Sequence, residues 1–224
     1  MEVEKIYFDM DGVLLDSESI CDRTWAMAFE EMGLKYNPNI INLCRGCNKN
    51  DTLQILKKEF GEDFDALKYT ERTSQLFFQI EKEEGIPLMP YVKECLEYLS
   101  KKYTLALASS TGEVHVKRQL AKAGIIDYFK TLTCGNMVEH SKPEPDIYLK
   151  ACASIGIKPS ECAGIEDSPN GIKSSFRAGL KTIMVPDKIQ PDSEIKKLCF
   201  KVCKSLKEVM DKVKDMGLKF RDDE

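Results

Sequence analysis

Two acidic pairs in this sequence read as chemistry rather than as surface. Asp9 and Asp11, with Met10 between them and Gly12 behind, follow the apolar run Ile6-Tyr7-Phe8 directly. Glu166 and Asp167 close a second apolar run, Cys162–Ile165, and Ser168-Pro169-Asn170-Gly171 comes next. Two carboxylates one residue apart on a turning backbone can divide a task. One faces a cation and an electrophile while the other reaches a leaving group, and Gly12 permits the tight turn. Asp9, Asp11, Glu166 and Asp167 together offer an all-oxygen ligand set suited to Mg2+. Brought together without a cation they would repel one another.

Two more positions complete a set. Ser109 closes the apolar run Thr104–Ala108, Ser110 follows, and a helical stretch opens soon after. A hydroxyl and backbone N–H groups beside a helix N-terminus make an anion site. Lys142 stands in Ser141-Lys142-Pro143-Glu144-Pro145, where the prolines limit the loop's freedom and favour a placed charge. Each signal alone has a plainer reading. Asp9 and Asp11 could be solvated loop carboxylates, Asp167 and Ser168 helix caps, Ser109 an N-cap, and Lys142 a surface lysine.

The elements that must position these residues alternate. Apolar runs at Lys5–Phe8, Thr104–Ala108, Thr131–Cys134, Cys162–Ile165 and Lys181–Val185 read as buried strands. Helical patterns lie between them at Tyr91–Lys101, Glu113–Ala123, Pro145–Ile155 and Pro169–Ala178, several stopped by glycine. Ser205 and Glu208 form a capping box that opens a last helix to about Met216. This order predicts an α/β fold, a parallel sheet with helices on both faces. Between the first strand and Pro87 the pattern is helical only, at Ser17–Gly33, Asp51–Phe60 and Phe64–Glu84. That stretch reads as a separate small helical unit, with Trp25 in its core. In open parallel sheets ligands sit beyond the carboxyl ends of strands, where Asp9, Ser109 and Glu166-Asp167 fall.

In motif order and spacing the chain resembles the haloacid dehalogenase superfamily of phosphohydrolases over nearly its whole length. Asp9-Met10-Asp11-Gly12-Val13 is similar to the first family motif, Ser109 to the second, Lys142 to the third and Glu166-Asp167 to the fourth. The helical insertion after the first motif resembles the subgroup of β-phosphoglucomutase and small sugar-phosphate phosphatases. The resemblance implies a Rossmann-like α/β core domain (1–16 and 88–224) and an inserted small helical cap (17–87). It implies Asp9 as a nucleophile forming an aspartyl-phosphate and Asp11 as general acid and base. Mg2+ would be held by Asp9, Asp11, Glu166 and Asp167, with Ser109, Ser110 and Lys142 on the phosphoryl oxygens. Substrate choice would lie in the cap, with Arg45, Lys49 and Arg72 as its candidate basic contacts. Cys21 stands where the mutase has a histidine, which favours a phosphatase over a mutase. The expected activity is Mg2+-dependent hydrolysis of a small phosphorylated metabolite such as a sugar phosphate. A phosphomutase is the alternative, and a non-catalytic phosphate-binding regulatory protein is the alternative of another class. The cap is expected to hinge near Leu14–Ser17 and Gly85–Pro90.

Composition narrows the partners. The chain has 224 residues, with 33 Lys and Arg against 37 Asp and Glu, a net charge of −4. That balance argues against a general electrostatic grip on nucleic acid or an acidic membrane. The start, Met1–Gly12, carries charges where a signal peptide needs an apolar run, so a cytoplasmic protein is expected, and a monomer because nothing in the sequence demands an oligomer. Nine cysteines are scattered through the chain. They read as reduced thiols, several of them small buried apolar residues. Cys44-x-x-Cys47 leaves a redox pair or half a zinc site as the other readings. His115 and His140 read as surface residues.

Overall fold

Short runs, most of them apolar and buried, become the parallel strands of one sheet. They are β1 (Lys5–Phe8), β2 (Thr104–Ser109), β3 (Leu132–Cys134), β4 (Cys162–Glu166), β5 (Lys181–Met184) and β6 (Lys201–Val202), in the order β3-β2-β1-β4-β5-β6. The computed structural model describes residues 3–35, 37–45 and 49–213. The chain divides into two compact units, Met1–Asp16 with Pro87–Glu224, and Ser17–Ile86.

The smaller unit holds α1 (Ser17–Glu31), α2 (Pro38–Cys44), α3 (Lys49–Phe60) and α4 (Ala66–Glu83). It has its own aromatic core. Phe29 and Tyr69 lie 4.9 Å apart between ring centroids, and Trp25 meets Tyr69 edge-on at 5.4 Å. The Tyr69 hydroxyl donates to the Trp25 carbonyl at 3.1 Å, which satisfies its one polar atom. The sequence pattern did not give α2. It is only seven residues long and depends on its start, where Pro38 follows an Asn37 cap whose side chain accepts from Asn39 N at 3.0 Å.

The larger unit is α/β and Rossmann-like. Its helices are α5 (Val92–Ser100), α6 (Glu113–Ala123), α7 (Asp146–Ser154), α8 (Pro169–Ala178), α9 (Ser193–Leu198) and α10 (Leu206–Lys212). β1 pairs with β2 on one side and β4 on the other, with Phe8 opposite Leu107 and Ile165. The register therefore brings Asp9, Ser109 and Glu166 to the same edge on adjacent strands. Side chains alternate across the sheet. Tyr7, Ala106 and Ala108 form one core with α7 residues Ile147, Tyr148, Ala151 and Cys152. Phe8 points the other way and meets Phe129 edge-on at 6.1 Å.

α9 and β6 also lie outside the sequence pattern, because a six-residue helix and a two-residue strand carry almost no periodicity. α10 opens at the expected cap, Glu208 N donating to Ser205 Oγ at 3.4 Å. The Glu208 carboxylate, however, accepts from Lys204 N rather than from Ser205 N. The expected continuation of this helix to Met216 runs past the described residues, which end at 213.

The chain leaves the larger unit and returns at one point. Asp16 N donates to Pro87 O at 2.8 Å and Met89 N to Leu14 O at 2.9 Å. The insertion therefore stands on two neighbouring segments and leaves the sheet register intact.

Helix α8 packs closely on the sheet at Gly164 in β4. A Cβ there would lie 2.4 Å from Ser175 Oγ, which already accepts a hydrogen bond from Thr182 Oγ1 at 2.9 Å. Gly164→Ala is therefore expected to destabilise the protein by about 1–3 kcal/mol through overpacking. Urea unfolding of the variant beside the parent measures this, and an unchanged midpoint would contradict the packing described.

Candidate active site

Asp9 follows β1 directly: the last three residues of the strand are apolar and fully buried, and the next one meets the carboxyl-end edge of the sheet. The backbone then turns. Gly12 adopts φ +75°, and a Cβ on it would come within 2.4 Å of Asp167 Oδ2. Glycine is required there on both counts. Leu14 N and Leu15 N both donate to Met10 O at 2.9 Å, so the turn that follows Asp9 is rigid.

Asp9, Glu166 and Asp167 converge, each with a carboxylate oxygen within 4.8 Å of the others. Lys142 sits among them. Its ammonium donates to Asp9 Oδ1 at 2.7 Å and to the Ala108 carbonyl at 3.0 Å, and it lies 2.8 Å from Glu166 Oε1. The Lys142 and Asp9 side chains are only 7% and 10% exposed. Burial disfavours the Lys142 ammonium, but Asp9 and Glu166 outweigh it and hold the lysine above its ordinary pKa. One lysine does not balance three carboxylates. Burial pushes Glu166 up to about 7, with Lys142 opposing and the Asp9 charge adding to the rise. Asp167 is held well above the carboxylate range by burial and then by the Asp9 and Glu166 charges. Glu166 Oε2 is buried and has no hydrogen-bond partner among the described residues. The site is short of positive charge and rich in oxygen.

The other motif residues fall around this cluster. Asp11 is half-buried, and its Oδ2 accepts a hydrogen bond from Thr111 Oγ1 at 2.8 Å. Ser109 is fully buried, and its Oγ accepts from Thr111 N at 3.1 Å. Ser110 is exposed on the same loop. A Cβ at Gly135 would lie 2.0 Å from the Ser110 carbonyl, so a second glycine keeps this loop in place. Ser168 caps α8, its Oγ accepting from Gly171 N at 3.2 Å. This capping role belongs to Ser168 and leaves Asp167 to the cluster.

Sequence reasoning did not single out two residues here. Thr111 orients Asp11, yet it stands in a Ser-Ser-Thr-Gly run that reads as a turn. Tyr148 donates its hydroxyl to Glu166 Oε1, yet on a helix it reads as an ordinary core aromatic. Only its spacing after the Lys142 loop could have marked it.

The candidate cap residues belong to the smaller unit. Both terminal nitrogens of Arg45 are engaged, one by Glu18 and one by Asp22, and its side chain is 8% exposed. Arg72 is more open and pairs with Glu31 at 2.6 Å. The Lys49 backbone opens α3, while its side chain lies outside the described residues. Cys47 lies outside them as well. The other eight cysteines are free thiols, six of them buried. His140 is exposed and pairs with Asp146 at 2.9 Å, and His115 is exposed beside Arg118.

Several known proteins are similar to this chain. A family model described as haloacid dehalogenase-like hydrolase matches residues 6–185. A Thermotoga maritima protein named phosphorylated carbohydrates phosphatase is 30% identical over 187 residues, covering 81% of this chain and 84% of its own. Hexitol phosphatase B of Escherichia coli is 28% identical over 189 residues, 80% of this chain and 82% of its own. A hydrolase structure from Deinococcus radiodurans R1, with bound phosphate and sodium, superposes at a TM-score of 0.80. It is 24% identical over 96% of this chain and 97% of that one, and it shares the fold.

Lys142 is the cation that offsets the buried carboxylates. Lys142→Met is expected to cost about 3–5 kcal/mol at pH 8, the loss typical of breaking a buried pair. The carboxylates left behind have raised pKa values, so acid neutralises them and the deficit shrinks by pH 5.5. Denaturant unfolding at the two pH values measures it, and a deficit that grows on acidification would contradict the charge balance described.

Proposed function

The chain belongs to the haloacid dehalogenase-like hydrolases, and on that premise we propose that it is a Mg2+-dependent phosphatase of a small phosphorylated metabolite, a sugar phosphate. The observation that carries this reading is the buried meeting of Asp9, Glu166 and Asp167 around Lys142, with Asp11 held beside them by Thr111. Residues 1–16 and 88–224 then form the catalytic core domain, and 17–87 the cap.

The residues present fit Mg2+. The donor set is all oxygen, its negative charge exceeds that of its lysine, and the buried Glu166 Oε2 has an unmet acceptor. Asp9, Glu166 and Asp167 would hold the ion, with the Asp11 backbone contributing. When bound, Mg2+ supplies charge neutralisation and polarisation at the phosphoryl oxygens.

The protein's own residues divide the reaction as follows. Lys142 fixes one Asp9 oxygen, so the carboxylate is oriented before substrate arrives. An Asp9 oxygen attacks phosphorus and forms an acyl phosphate. The bond from phosphorus to the leaving oxygen breaks, and that oxygen takes a proton from Asp11. Water then attacks the acyl phosphate, Asp11 takes the water's proton, and phosphate leaves Asp9 free again. Ser109 Oγ accepts from Thr111 N, which leaves its own proton to donate to a phosphoryl oxygen. Two carboxylates, Glu18 and Asp22, already pair with the single charge of Arg45 and exceed it. That pairing supports a substrate with one phosphate rather than two.

The test incubates the protein with Mg2+ and a panel of hexose and hexitol monophosphates. The panel includes β-glucose 1-phosphate with a trace of glucose 1,6-bisphosphate. Free phosphate is expected from at least one compound; isomer without free phosphate would overturn the phosphatase in favour of a mutase. Asp9→Asn is expected to abolish phosphate release. Asp11→Asn is expected to slow it by about 10² to 10⁴, the usual worth of general acid–base help. Full turnover by Asp9→Asn would sink the mechanism.

Proton and cation compete for the same carboxylates. Burial pushes Glu166 up to about 7 and raises Asp167 as well, so acidification below that pH puts protons where the cation would bind. Mg2+ affinity, read from the Mg2+-dependent rise in Tm, is therefore expected to fall by up to about tenfold per pH unit below 7. An affinity equal at pH 8 and pH 6 would remove Glu166 from the cation site.

A further inference from the structure

The buried face of α7 brings one polar atom to the carboxylate cluster, the hydroxyl of Tyr148. Tyr148 is fully buried, with neighbours Ile147, Ala151 and Cys152 on the same helix and Tyr7, Ala106 and Ala108 on the sheet. Its ring meets Tyr7 edge-on, 6.3 Å between centroids at 87°. Such packing fixes the side chain in one rotamer. The fixed ring does two things at its polar end. Its hydroxyl donates to Glu166 Oε1, and its face lies 5.5 Å from Lys142 Nζ. A cation over an aromatic face is attracted by the ring quadrupole.

Glu166 is held from the opposite side as well. A Cβ on Gly171 would fall 1.9 Å from Glu166 Oε2, so the first turn of α8 is built around that oxygen. The carboxylate therefore stands between a hydroxyl and an ammonium on Oε1 and the helix backbone beside Oε2. Its terminal torsion, broad for a glutamate in solution, is confined here.

We propose that Tyr148 is a positioning residue that sets the Glu166 carboxylate for cation binding. The hydroxyl touches neither substrate nor cation. It acts through Glu166, as outer-shell donors act on ligating carboxylates. The inference deepens the metal-dependent reading above and rests on it. A core aromatic with no part in the site would need no hydroxyl, since phenylalanine fills the same space among Ile147, Ala151 and Tyr7.

The experiment is Mg2+ binding by isothermal titration calorimetry at pH 8, without substrate, on the parent, Tyr148→Phe, Glu166→Gln and the double variant. Tyr148→Phe keeps the ring, and circular dichroism and Tm report its fold. Removal of such an outer-shell donor is expected to weaken Mg2+ by about 10- to 100-fold. If the hydroxyl acts through Glu166, the double variant binds no more weakly than Glu166→Gln alone. A Tyr148→Phe protein with lowered Tm and parental Mg2+ affinity would overturn the proposal, leaving a structural hydroxyl only. Losses that add independently in the double variant would overturn it too. Should Tyr148→Phe fail to fold, Mg2+ is added to the parent with ring-labelled tyrosine, and Glu166→Gln assigns the tyrosine that faces Glu166. That resonance is expected to shift on saturation, and its immobility would overturn the proposal. A parent that binds no Mg2+ would instead bring down the metal-dependent reading, and this inference with it.

Discussion

Lys142 brings one positive charge to a place where three carboxylates meet out of water, and most of the larger unit is arranged to make that meeting possible. Its ammonium touches two of the three directly and takes the carbonyl of the neighbouring strand as well. Without it the cluster would hold three like charges in a low dielectric, at a cost no hydrogen bond offsets. With it a deficit of positive charge remains, and burial first, then the neighbouring carboxylate charges, raise Glu166 and Asp167. A lysine that fully neutralised the cluster would leave nothing for a divalent cation to do. A site with no lysine would be less stable, its buried carboxylates relieved only by taking up protons.

Sheet topology decides which residues reach that meeting. β1 is central, so its C-terminal residue stands between the ends of β2 and β4. At an edge β1 would have one neighbour only, and Asp9 would lose either Ser109 or Glu166 from its side. Small residues then allow the close approaches that the charges require. Gly12 lets the turn after Asp9 lie against Asp167, Gly171 lets α8 start against Glu166, and Gly164 lets α8 lie on β4. These glycines share one purpose, room for a side chain that arrives from another element.

The acidic pairs and Ser109 were legible in the sequence because each follows an apolar run, where a polar group has no packing reason to be, and Lys142 was legible because prolines restrict its loop. The strands and long helices were legible for a related reason: their apolar spacing is set by burial on a sheet or a bundle. What stayed hidden had no such signature. α2 is defined by its cap, and β6 by two residues that add to an existing edge. Thr111 and Tyr148 act on charged residues 100 and 18 positions away, and a hydroxyl shows its target only once the chain is folded. Arg45 read as an open basic contact because its acidic partners, Glu18 and Asp22, lie in another helix.

The insertion explains how one fold can keep its chemistry while its partner unit changes. The larger unit loses nothing by hosting it, since the outgoing and returning segments hydrogen-bond to each other at Asp16–Pro87 and Leu14–Met89. Closing a long connection over so short a gap adds little entropy per added residue. The smaller unit meets its own need for burial, with Phe29, Leu56 and Tyr69 fully enclosed among its four helices. The residues that meet Lys142 all belong to the larger unit, so the carboxylate cluster and the aromatic core of the insertion answer to separate packing constraints.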